Sequence, residues 1–184
     1  MRRLIESMKM LGDILDESSN AKGFKKIIGG TYEDLPDWVK KAKVKNAIVE
    51  LKRNSFTGRV LLVVWHSGTW VDGAWEKGWW RGGVWKNGTW NNGEWDKGTW
   101  ENGEWWDGLW RNGDWEGGVW WNGIWKDGDW KDGEWYRGYR KGGIWRDGTW
   151  YNGVWENGDW LDGDWEDGTW KKGTINGKPS KVHP

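Results

Sequence analysis

Cysteine is absent from this 184-residue chain, so no disulfide holds it together and its compartment is not indicated by redox chemistry. No apolar run approaches the ~18 residues of a transmembrane helix. Met1 to Ser18 lack the continuous apolar core of a signal peptide, which points to cytosolic synthesis. Histidine occurs only at His66 and His183, in no ligand spacing, so no metal site is expected; nor is any cofactor. Net charge is zero and mean hydropathy is −0.99, low enough for a disordered chain. Against disorder stand 25 tryptophans, each able to bury ~150–250 Å². The composition therefore describes an ordered polar shell around an indole core.

Those tryptophans are in phase. Every fifth residue from Trp65 to Trp170 is Trp, with Arg140 as the exception, and glycine keeps its own phase from Gly68 to Gly173. The unit is W-x-x-G-x, as in Trp85-Lys86-Asn87-Gly88-Thr89. A pentad is too small to bury its own apolar face, so the units must stack into an array. Charge divides along the chain: residues 1–64 carry 13 Lys/Arg against 8 Asp/Glu, and residues 65–174 carry 13 against 20. Head and array can thus attract each other or different partners.

Ahead of the array, Leu4, Met8, Leu11 and Leu15 recur at helical spacing, and Phe24 to Ile28 are read as a short second helical turn. A helix starts near Pro36-Asp37-Trp38, with Lys40, Lys41 and Lys43 towards its C-terminal end. Ala47 to Leu51 and Val60 to Val64 read as strands joined near Asn54 to Gly58, with Val60 as a degenerate first unit. The expected divisions are an α-helical head (1–43), a β cap (44–64), the array (65–177) and a disordered tail (178–184). The cap keeps the array's open edge from pairing with other chains.

Two architectures fit the pentad. A meander of Asn-Gly hairpins would need three-residue strands. The residues at either end of such a strand bond towards the same neighbour, so the ladder cannot continue. A parallel β-solenoid satisfies every unit: Trp points in, glycine points in and makes room for the indole, and Asn-Gly or Asp-Gly turns the corner. The chain is therefore expected to be mainly β, a parallel β-solenoid of three or four pentads per coil with a Trp core. Stacking at 15 gathers Trp106, Trp121, Tyr136 and Tyr151, and likewise Leu109, Ile124, Tyr139 and Val154, into one apolar stripe. Stacking at 20 scatters these and piles Glu94, Asp114 and Glu134 into an acidic ladder. Three sides therefore lead four, although a 15-residue triangle is cramped for three indoles.

The G-x-W-x-x phase over residues 65–174 resembles the pentapeptide-repeat family, which implies a four-sided right-handed β-helix and, for some members, DNA mimicry. Trp stands here in place of the family's Leu or Phe, and Asn87, Asn92 and Asp127 follow the large residue instead of preceding it. The Gly-Thr-Trp-x-Asn-Gly strings also resemble Trp-rich pentad arrays of tailed-phage and environmental proteins, which implies a virion-associated protein.

Catalytic chemistry finds little support. Pairs such as Glu101 and Glu104 have the makings of an acid and a base, but a charged repeat shell generates such pairs by chance. Asp127 with Asp129, and Asp162 with Asp164, lack the full loop of oxygen ligands that calcium takes. Lys40, Lys41, Lys43, Lys45, Lys52 and Arg53 form a basic cluster without base-stacking context, better read as a solvated face than as a nucleic-acid site. The apolar stripe is the candidate site, because a monomer rarely leaves such a patch unused. It suits a protein partner or self-association, a glycan, or packing of the N-terminal helix. Arg140 breaks the core and is expected to reach water through a local bulge. The expected role is a non-enzymatic structural or interaction scaffold. The alternatives are a carbohydrate-binding module and an acidic rod that mimics DNA.

Overall fold

The computed structural model describes residues 22–184; the amphipathic pattern at Leu4 to Leu15 lies outside them. From Ala74–Trp75 to Thr169–Trp170 each strand is two residues long, a core residue and the one before it. Strand pairings in this stretch are parallel and join residues 15 apart, such as Trp70 with Trp85 and Trp105 with Trp120. The chain is thus a three-sided parallel β-solenoid of about seven turns. The first face carries Trp65, Trp80, Trp95, Trp110, Trp125, Arg140, Trp155 and Trp170; Trp70 and Trp75 begin the corresponding series on the second and third. Each side is tied to the coil before it by two further backbone bonds. Thr89 N–H donates to the Gly73 carbonyl at 3.0 Å, and Lys86 N–H to the Trp70 carbonyl at 2.8 Å.

Three indoles fit the triangle because they are tilted. Within a column successive rings are nearly parallel, 4.8 Å apart with 5° between planes for Trp100 and Trp115. Between columns the rings meet edge to face, with centroids 6.0 Å apart and planes at 72° for Trp100 and Trp105. Threefold-related planes that meet at this angle without interpenetrating have normals inclined about 43° to the rod axis. A 4.8 Å step then leaves about 3.5 Å between stacked planes, the optimal carbon–carbon separation. The coil rise of a parallel sheet and the thickness of an inclined indole are thereby matched.

The phased glycines turn the corners, but not chiefly to make room for the indole. Gly118 has φ +108°, and a Cβ there would press into the carbonyl oxygen of Gly103 one coil below. The constraint is axial, imposed by backbone on backbone.

The N-terminal end is closed by β structure. Strand β1 (Phe24–Ile28) replaces the expected helical turn and pairs in parallel with β2 (Lys43–Arg53). β2 runs antiparallel to β3 (Val60–Asp72), which continues into the first coil and carries both Trp65 and Trp70. Val60 pairs with Arg53 and packs against the buried core. Helix α1 (Asp37–Lys41) is a single turn preceded by a 3-10 turn at Tyr32–Asp34, so the described part of the head combines one strand with two short helical turns. Helix α1 brings Trp38 edge-on to Trp75 at 4.9 Å, closing the end of the third column. At the far end the tail is ordered: Lys178–Ser180 pairs antiparallel with Gly173–Ile175, and the His183 ring lies parallel to Trp165 at 5.8 Å.

Gly118→Ala is expected to lower stability by on the order of 1–3 kcal/mol. Gly117→Ala, where the nearest atom to the added carbon is 3.9 Å away, should stay within about 0.5 kcal/mol of the parent. Urea denaturation of both variants checks this; equal losses would remove the axial constraint as the cause.

Candidate functional site: an aromatic corner and a buried arginine

Residues on either side of each core position point outward, and the 15-residue register stacks them into rows along the rod. Trp106, Trp121, Tyr136 and Tyr151 follow the core residues of the third face. They form a continuous ring stack, with centroids 5.6, 4.3 and 4.7 Å apart and planes 28°, 21° and 26° from parallel. Leu109, Ile124, Tyr139 and Val154 precede the core residues of the first face and sit in direct register with one another. The two sets are therefore not one stripe. They are two rows flanking one corner of the triangle, separated by the turn pairs Asp107-Gly108, Asn122-Gly123, Arg137-Gly138 and Asn152-Gly153.

The rings of the first row cover one another's faces and turn their edges to solvent. Trp106, at the start of the row, is 48% exposed and Tyr151, at the end, 37%; Trp121 and Tyr136 between them are half-buried. The polar edges are held back over the third face. Trp106 Nε1 donates to Glu104 Oε2 at 3.1 Å, and the Tyr136 hydroxyl donates to Glu134 Oε2 at 3.0 Å. That hydrogen bond to a carboxylate holds the Tyr136 phenol above its ordinary pKa. Tyr139 is more open, at 53%.

The second row continues beyond the residues legible as a stripe. Trp79 stands in its register, two coils before Leu109 with Glu94 between. An open groove of about 780 Å³ runs over the corner glycines there, lined by Leu62, Trp79, Leu109 and Ile124, with Glu94 and Arg111 paired at 2.7 Å. Arg81 lies over the Trp79 ring at 4.1 Å. Following the 15-residue phase back past Glu94 would have found Trp79; nothing in the repeat marks Leu62.

Other candidates are dispersed. Glu101 pairs with Lys86 and Glu104 with Trp106, on different faces, so the two carboxylates do not converge. Asp129 is held by Arg146 at 2.7 Å, and Asp127 caps its own corner by accepting from Gly128 N–H. The basic cluster is turned to separate partners: Arg53 to Asp34, Lys40 to the Glu33 carbonyl, Lys43 to Asp72. His66 pairs with Glu50 at 2.9 Å.

Arg140 does not bulge. It keeps the register between Trp125 and Trp155 and is wholly buried. Its guanidinium lies 5.0 Å from the Trp125 ring centroid and 4.9 Å from that of Trp155, a cation held between two π faces. None of its nitrogens meets a hydrogen-bond acceptor among the described residues. Burial lowers its pKa to about 9, opposed by Asp127 and Asp129, so it carries its charge at neutral pH. A charge buried without a paired acceptor is costly.

Arg140→Trp should restore the column and raise stability by about 1–4 kcal/mol. Between about pH 9 and the ordinary arginine value the unfolded chain holds more protons than the folded one, so wild-type stability gains as pH rises there. The gap between the thermal midpoints of Arg140→Trp and wild type is therefore expected to narrow above about pH 9. A variant less stable than wild type at neutral pH would show that the arginine belongs in the core.

No family model, no curated protein and no solved structure matches this chain. What stands is a Trp-rich repeating β-solenoid with three sides, where the pentapeptide-repeat likeness implied four.

Proposed function

We propose that this protein is a non-enzymatic interaction scaffold, a stiff rod that associates side by side with a second copy of itself through the aromatic corner. The supporting observation is the double row of aromatic and aliphatic side chains along one edge, from Trp106 to Val154. Contiguous apolar surface of this kind is what protein partners bury.

Charge favours self-pairing and selects its direction. One flank of the double row carries Glu104 and Glu134; the other carries Arg111, Lys126 and Lys141, and ends at Glu156. In an isologous interface with the rods parallel, the acidic flank of each copy faces the basic flank of the other; with the rods antiparallel, like charges would meet. Ring orientation favours protein over sugar, since a glycan platform presents ring faces and these rings present edges. The DNA-mimic reading is weakened by the interspersed Lys126, Lys131, Arg146 and Lys171. Incorporation into a virion, the setting implied by the likeness to phage arrays, would use the same edge.

Light scattering across a concentration series should show a wild-type dimer and a monomeric Trp121→Lys, with Lys141→Glu intermediate. Wild type that remains monomeric at every concentration would overturn self-association and turn attention to a different protein partner.

A further inference from the structure

The indole columns have a property that packing alone does not require. The second column is unbroken from Trp70 to Trp160 and the third from Trp75 to Trp165, each ring 4.7–5.2 Å from the next with planes within 10°. The columns touch edge to face throughout, for example Trp115 with Trp120 at 6.0 Å. Electron exchange between aromatic rings falls off steeply with separation and is fast at van der Waals contact. Tryptophan is also among the most easily oxidised side chains.

We infer that the core conducts oxidising equivalents along the rod, passing a hole from indole to indole. A one-electron oxidant, such as a photo-oxidised metal complex, takes one electron from a core indole and leaves its radical cation. The neighbouring indole then supplies an electron, and the hole advances with no bond made or broken.

A hole is normally trapped when the radical cation, a strong acid at Nε1, gives that proton to a base. Here the interior offers none. Among the described residues, Nε1 of the core tryptophans from Trp65 to Trp145 and of Trp155 meets no hydrogen-bond acceptor, and that of Trp150 meets only the Asp167 carbonyl. The hole therefore stays cationic and mobile until it reaches an indole open to water. Trp165 and Trp170, both only half-buried, end the third and first columns at the C-terminal end of the rod, and the half-buried Trp38 stands edge-on to Trp75 at the other end. At Trp165 and Trp38 the Nε1 proton passes to water; that of Trp170 is held by the Ser180 carbonyl at 3.3 Å. The neutral indolyl radical that remains takes an electron and a proton from an external one-electron reductant such as ascorbate, or combines with dioxygen to give an oxidised residue.

Arg140 shapes the route. Its cation replaces an indole in the first column and makes a second positive charge unfavourable at Trp125, at Trp155 and, 5.7 Å away in the second column, at Trp145. Traffic past that coil therefore favours the third column.

The absence of native cysteine makes the test direct. A ruthenium photo-oxidant is attached at Asn87→Cys, or at Asp147→Cys four coils further along the same corner, and flash-quench oxidation in air is followed by peptide mass mapping. Conduction predicts the same set of oxidised residues from both labels, led by the half-buried terminal indoles Trp38, Trp165 and Trp170. Damage that follows the label, confined to Trp85 and Trp90 when it sits at position 87, would overturn the inference. A variant with Trp110, Trp115 and Trp120 all replaced by Phe, checked by circular dichroism for a retained fold, should block delivery from position 87 to Trp165 and Trp170 while leaving delivery to them from position 147 intact. If it does not fold, the comparison of the two labels still decides the question.

Discussion

The structure depends on one coincidence of lengths. A parallel β-sheet rises by a fixed step per strand, and an aromatic ring has a fixed thickness. Inclining the indole reconciles the two, and threefold symmetry turns the inclination into edge-to-face contact between columns. Once the rings adopt that tilt, coil circumference, corner geometry and outer-row register all follow. Leucine has no thickness to match to the step, and a tryptophan on a four-sided coil would leave the centre empty. The pentad's insistence on Trp is thus a statement about pitch as much as about hydrophobicity.

Much of this was legible in the sequence, for reasons that can be named. Trp and glycine phases marked the corners and the inward positions. The recurrence of Trp106, Trp121, Tyr136 and Tyr151 at 15-residue spacing carried the number of sides, because outward residues report register where inward ones are all alike. The argument from core volume pulled towards four sides because it treated indoles as bulky bodies and not as inclined plates. Arg140 was misjudged on the assumption that an unpaired buried charge must escape, whereas flanking π faces replace part of its lost solvation. Phe24 to Ile28 was misread because pairing with the distant strand β2 decides its conformation; the tail folds back on a local signal that was passed over, Asn176-Gly177, whose two positive φ angles make the turn of a hairpin.

The candidate site was half legible. Its eight side chains were identified, but as one stripe, since spacing reports axial register and says nothing of which side of a corner a residue occupies. The lateral separation matters to the chemistry. One row is a stack of rings with covered faces and tethered polar edges, and the other a row of separate aliphatic groups and an open tyrosine. In the proposed side-by-side pair each row of one copy faces the other row of its partner, so the two chemistries meet across the interface.

The fifteen-residue coil gives insertions and deletions an unusual grammar. Gain or loss of three pentads lengthens or shortens the rod by one coil and leaves every outer row on its own face. Gain or loss of a single pentad preserves the repeat, the indole core and the glycine corners, yet rotates everything beyond it by a third of a turn. Trp121 and Tyr136, if separated by such an event, would come to lie on different faces of an otherwise intact solenoid. The rod is permissive about its length in steps of fifteen and intolerant, in surface pattern alone, of steps of five.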